Sequence, residues 1–117
     1  MSARNKILLL LITAFIAISC SKKKPTIPGD VLNEQEMTSL LTDIHLAQAA
    51  MTVNATADSS RYSMKQYTDY ILNQHKISNE KYVKSLRFYT ENPGLIKSIY
   101  DSVLTNLSKM QSEAAVE

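Results

Sequence analysis

Between residues 33 and 55, apolar side chains recur at intervals of three and four: Met37, Leu40, Leu41, Ile44, Ala47 and Met51. That spacing predicts an amphipathic helix, with Asn33, Glu34 and Glu36 suited to its start. The periodicity stops in Asn54-Ala55-Thr56-Ala57-Asp58-Ser59-Ser60, a small and polar run that reads as an exposed loop. A second helix, ending near Lys76, sets Met64, Tyr67, Tyr70, Ile71 and Gln74 on one side and turns Lys65, Gln66, Asp69 and Asn73 outward. Ser78 suits the cap of a third helix, whose stripe is Tyr82, Ser85, Leu86 and Tyr89, with Glu80 near its positive end. Asn92-Pro93 ends that helix and opens a fourth, because proline at the first helical position lacks only an N–H that would go unpaired anyway. There Leu95, Ile96, Ile99, Tyr100, Val103, Leu104, Leu107 and Met110 form the widest apolar stripe in the chain, and the tail from Gln111 to Glu117 is predicted to fray. No alternating segment, Asn-Gly or Asp-Gly turn, or long repeat interrupts this pattern, so the fold class is all-α: a bundle of about four short helices.

Upstream of the helices the pattern changes twice. Arg4 and Lys6 precede an apolar run from Ile7 to Ile18 broken only by Thr13, and Ala17-Ile18-Ser19 leads into Cys20. The run is too short to span a bilayer, which needs about 20 apolar residues. A charged start, a short apolar core and small residues before a cleavage point describe an export signal over residues 1–19. The cysteine immediately after it resembles the acceptor of diacylglycerol in bacterial lipoproteins, although Ala17 stands where Leu is commonest. Cys20 is therefore the expected lipidation site, its sulfur consumed in a thioether and unavailable as a nucleophile. Residues 20–30, with Pro25 and Pro28, read as a semi-extended tether that could hold the body up to roughly 30 Å from a membrane. The helical domain is expected over 31–110, with 111–117 as its tail.

Charge changes the picture once the signal is set aside. The full chain has 13 basic and 11 acidic residues, but removal of residues 1–19 cancels the excess, and Lys22, Lys23 and Lys24 sit beside the anchor. The body alone is then net acidic, which excludes a nucleic-acid partner as an expectation. The lysine triplet reads either as a contact for anionic headgroups, each worth on the order of 1 kcal/mol near a charged surface, or as a solvated linker. With 1 Cys and 2 Gly far apart, neither an internal disulfide, a cysteine-based zinc site nor a glycine-rich phosphate cradle can be built.

Candidate chemistry is sparse. His45 and His75 are the only histidines, and Asp43-Ile44-His45 invites a metal or acid–base reading. Residues two apart on a helix point about 200° apart, so Asp43 and His45 flank the stripe on opposite sides and cannot grip one ion. His45 is read as a boundary residue bonded to a neighbouring helix, and His75 as a favourable partner for a helix carboxyl end. No nucleophile elbow or Cys/His dyad is present; the expectation is no enzyme, no cofactor and no metal.

Taken in order, the signal, the Lys/Pro-Ile-Pro tether, Glu36-Met37 through Leu41-Thr42-Asp43-Ile44-His45-Leu46-Ala47, Tyr67 to His75, Ile77-Ser78, and Tyr82 through Ser85-Leu86 to Tyr89 resemble one family. It is the group of small Bacteroidota lipoproteins known as domain of unknown function 4296, and the resemblance covers about residues 25–107. It implies an envelope lipoprotein with an α-helical body and brings no activity or catalytic residue. In that setting Ser21 after the cysteine favours the outer membrane, and the lysine triplet favours its periplasmic face.

Two functions compete. In the first, a lipid-anchored, non-enzymatic accessory module docks on an envelope protein partner, because the wide stripe of the fourth helix exceeds what three short helices cover; Tyr82, Tyr89 and Tyr100 are its candidate contact residues. In the second, a periplasmic carrier opens a pocket lined by Met37, Met51, Met64 and tyrosines for a small hydrophobic ligand.

Overall fold

A computed structural model of the chain describes residues 2–17, 23–53 and 63–116. These residues form α1 (Ala3–Ala17), α2 (Glu34–Val53), α3 (Met64–Gln74), α4 (Asn79–Thr90) and α5 (Pro93–Ala114), with no strand among them. The anticipated loop at 54–60 and the lipidation candidate Cys20 lie outside the described residues. Helix α1 is the apolar segment of the expected signal, and Ile7 to Ile12 are exposed along it. Among the described residues, no helix is long and apolar enough to cross a membrane.

Each helix of the body begins where local chemistry satisfies its free N–H groups. Asn33 N–H donates to Glu36 Oε2 at 2.9 Å while Glu36 N–H donates to Asn33 Oδ1 at 2.8 Å, so α2 opens on a reciprocal capping pair. Ser63 and Gln66 do the same for α3, at 3.3 and 2.7 Å. At α4 the Lys81 N–H donates to Ser78 Oγ at 3.1 Å. Pro93 opens α5, but Asn92 makes no side-chain bond to it. Its Nδ2 donates backwards instead, to the Phe88 carbonyl at 2.7 Å, closing the end of α4.

Helix α3 ends on a Schellman motif. Lys76 N–H donates to the Asn73 carbonyl at 3.1 Å and Ile77 N–H to the Leu72 carbonyl at 2.9 Å, with Lys76 at φ 56°. That left-handed position normally belongs to glycine, and the lysine there carries its steric cost.

The core comprises Val31, Leu32, Met37, Leu40, Leu41, Ile44, Ile71, Leu72, Tyr89, Leu95, Ile99 and Val103. Helix α2 is central and packs on both α3 and α5, while α4 bridges α3 and α5. Two helix faces differ from the periodicity. In α3 the buried residues are Ile71 and Leu72, with Met64 packed beside them, whereas Tyr70 is 62% exposed and Gln74 is exposed. The facing sector is turned by about one position, from a stripe centred on Tyr67, Tyr70, Ile71 and Gln74 to one of Met64, Ile71 and Leu72, which leaves Tyr70 to water. In α5 only Leu95, Ile99 and Val103 of the eight-residue stripe are buried. The helix also continues through Ala114, so residues 111–114 are helical rather than frayed.

The segment before α2 is the larger departure. Instead of a free tether, Ile27 packs against the core, Val31 and Leu32 are inside it, and a turn joins Val31 N–H to the Pro28 carbonyl at 3.1 Å. Lys24 pairs with Glu34, and Asp30 pairs with Lys84 of α4; that lysine holds the Asp30 carboxyl below its ordinary range. Leu32 is received on α4 by two buried hydrogen bonds: its N–H donates to Ser85 Oγ at 2.9 Å and its carbonyl accepts from Tyr89 Oη at 2.7 Å. Ser85 in turn donates to the Lys81 carbonyl at 2.6 Å. No buried side-chain N or O among the described residues lacks a partner.

Candidate functional site

The uncovered part of the α5 stripe is the first candidate surface. Tyr100 is 40% and Leu104 61% exposed, one turn apart on the flank next to the buried Ile99–Val103 row. The His45 ring of α2 lies against Tyr100, with centroids 5.8 Å apart and planes tilted by 54°. On the α4 side, Tyr82 is half-buried, and its phenol is pushed above the ordinary tyrosine range by burial and by the neighbouring Tyr100. Helices α2, α4 and α5 thus each bring one aromatic ring to a common strip, which Leu104 extends by a turn. Val83, next to Tyr82 in the chain, is also exposed.

Of the three tyrosines expected on this surface, the structure brings two together. Tyr89 is the correction: it is fully buried, its hydroxyl is spent on the Leu32 carbonyl, and its ring meets Phe88 edge-on at 5.3 Å. Burial, with Glu34 and Glu36 nearby, pushes its phenol up to about 12. Seven residues fall only about 20° short of two turns, so Tyr82 and Tyr89 share one face of α4; what differs is the cover along the helix axis, since Tyr89 meets Leu32 and the core while Tyr82 lies two turns nearer the rim. His45 keeps its boundary position, touching a neighbouring helix through a ring rather than through the expected hydrogen bond.

The opposite flank is polar. Asp43 Oδ2 lies 2.6 Å from His75 Nε2, a pair joining α2 to the end of α3. The expectation that Asp43 and His45 diverge holds, and His75 finds a carboxylate rather than a helix end alone. Between α2 and α5 runs a cleft of about 510 Å³ that includes Glu34, Thr38, Thr42, Asp43, Ser102 and Asn106 in its lining. Thr42 Oγ1 donates to the Thr38 carbonyl at 2.8 Å and accepts from Asn106 Nδ2 at 3.4 Å. A second cleft of about 360 Å³ has Ser39, His75, Lys76 and Lys81 among its residues. No group of three or more His, Cys, Asp or Glu among the described residues is placed to hold a metal ion. The methionine-lined pocket is not formed around Met37, whose side chain is sealed in the core.

Sequence reasoning missed the Asp43–His75 pair, which joins residues 32 apart in the chain. It also missed the docking of Leu32 by Ser85. A signal for the latter existed: a serine on an otherwise apolar stripe marks a place where something must bond to it.

A family model described as Domain of unknown function (DUF4296) matches residues 28–113. No curated protein and no solved structure matches the chain. The matched span begins at Pro28, so it includes the docked Val31-Leu32 segment together with α2 to α5.

Proposed function

Because the chain belongs to the DUF4296 family, whose description assigns no activity, we propose from its own geometry that it is a lipid-anchored accessory protein of a bacterial envelope. It binds a protein partner through the strip formed by His45, Tyr82, Tyr100 and Leu104 and performs no chemistry on it. One observation carries this reading: the longest helix of the body buries only one row of its apolar stripe and leaves Tyr100 and Leu104 to solvent beside two further rings. Aromatic side chains with a polar tip are suited to such a surface, since they bury large area at low entropic cost. The anchor is Cys20, after an apolar segment too short to span a bilayer by itself. Its setting is the periplasmic face of the outer membrane, as Ser21 and the lysine triplet favour. The carrier reading draws no support from Met37, which lies inside the packed core.

The test is site-specific photo-crosslinking in cells of a native host. A photoreactive residue at Tyr100 or Leu104 should give an adduct with one discrete protein, and the same residue at Thr105 or Lys109, turned away from that flank, should not. Equal adducts at all four positions, or none, would remove the interaction reading. Acyl chains on a mature chain beginning at Cys20, detected by mass spectrometry, check the anchor separately.

A further inference from the structure

The segment carrying Lys23 and Lys24 is fastened to a defined part of the body. Lys23, Lys24 and Pro25 form one wall of a cleft of about 520 Å³ whose other wall is Asn92, Pro93, Gly94, Leu95 and Ser98 at the start of α5. Lys24 pairs with Glu34, and from Ile27 onward the chain is packed on the core. Cys20 precedes Lys23 by three residues, and a fully extended chain covers at most about 3.6 Å per residue, so Lys23 lies within roughly 11 Å of the anchoring residue and the start of α5 only the width of this cleft beyond it. A tether free to residue 30 would allow about three times that reach.

We propose that the face formed by Lys23, Lys24, Pro25 and the first two turns of α5 lies against the anionic headgroups of the membrane that holds Cys20, so that the body sits on the lipid surface in one orientation. The inference rests on the anchoring reading and adds which side of the body faces lipid. Chain length brings this face to the surface, and charge favours contact there. Among the described residues Lys23 has no acidic partner, whereas Lys24 is shared with Glu34, and Lys97 with Asp101 further along α5. Glu34, paired with Lys24, and Glu91, just before α5, are the opposing charges beside this face, and the lysine triplet outnumbers them. The remainder of the body, net acidic, is directed away from a like-charged surface. Tyr100 follows Gly94 by six residues, about 9 Å along the helix, so the aromatic strip opens close to the lipid and the partner it meets is membrane-proximal.

The test uses the full chain, matured and lipidated in a bacterial host, in vesicles of phosphatidylethanolamine with phosphatidylglycerol and a headgroup-spin-labelled lipid. A fluorophore is attached at Ser98→Cys, on the proposed face, or at Lys109→Cys, eleven residues or about 17 Å further along α5. Quenching several-fold stronger at 98 than at 109 is expected, and the difference should collapse in a Lys23→Glu/Lys24→Glu variant that still floats with the vesicles. Equal quenching at both positions in protein that floats, or a difference untouched by the charge reversal, overturns the orientation while leaving the anchor intact. Failure of the protein to float at all overturns the anchoring reading, and the orientation falls with it.

Discussion

Leu32 meets α4 through two neutral hydrogen bonds sealed from water, whereas Asp43 meets His75 through a pair that water still reaches. Both junctions join distant parts of the chain, and both distances are short. Their energetic weight differs because of what each group would do if its partner were removed. At the first junction a deleted hydroxyl leaves a backbone group buried without a partner, and the desolvation cost stands uncompensated. At the second, Asp43 is 44% exposed at its side chain, so water replaces the lost partner and the net effect shrinks. Bond length therefore says little about which contact holds the body together; burial decides it.

The largest effect should come from Tyr89→Ala, which removes both a fully buried ring and the bond to Leu32. It is expected to cost about 3 to 5 kcal/mol in urea unfolding of the mature chain. Tyr89→Phe isolates the hydroxyl and should cost about 1 to 3 kcal/mol. A value near zero for Tyr89→Phe would erase the contrast between the junctions.

Alkaline unfolding sharpens the same point. The Tyr89 phenol sits at about 12 in the folded protein, against about 10 in an unfolded chain. Below pH 10 both states hold the proton and stability is unaffected. Between pH 10 and 12 the unfolded chain releases its proton while the folded one retains it, so stability falls by about 2 kcal/mol. Unfolding midpoints followed across that window should slope less steeply in Tyr89→Phe, which also cancels the contributions of the other tyrosines.

At the second junction, Lys76→Gly should stabilise the body by about 0.5 to 1 kcal/mol. The left-handed backbone at φ 56° costs glycine nothing, and only part of that gain is returned as entropy of the unfolded chain. Smallest of all, Asp43→Asn should change stability by less than about 1 kcal/mol, and salt should narrow even that difference. A loss comparable to that of Tyr89→Phe would show that the exposed pair matters as much as the buried one.

The contrast also explains which parts of the molecule were legible before the structure. Helices α2, α4 and α5 follow from local information: apolar periodicity, Ser78, and proline at the first turn of α5. Tyr82 and Tyr100 could be placed on stripes, but a stripe does not say which of its members a neighbouring helix covers. Tyr89 was misplaced for that reason. The α3 face was misread by one position because an 11-residue helix holds too few turns to fix its sector. The docking of residues 23–32 escaped because Ile27, Val31 and Leu32 are separated by Pro28, Gly29 and Asp30 and show no period, although their apolar character is the reason they dock. The polar junctions span separations of 32, 53 and 57 residues, which no local pattern encodes.

The bond between Leu32 and Tyr89 imposes an order in time. Its two ends are 57 residues apart, so at about 5 to 20 residues per second the leucine leaves the ribosome roughly 3 to 11 s before the tyrosine that will receive it. Throughout that interval α2 has its capping pair but no lid over Leu32, and the chain ahead of it stays unfastened. The nascent protein is thus kept open at its amino end until α4 is complete, which is the condition a chain must meet if that end is to be threaded through a narrow channel first.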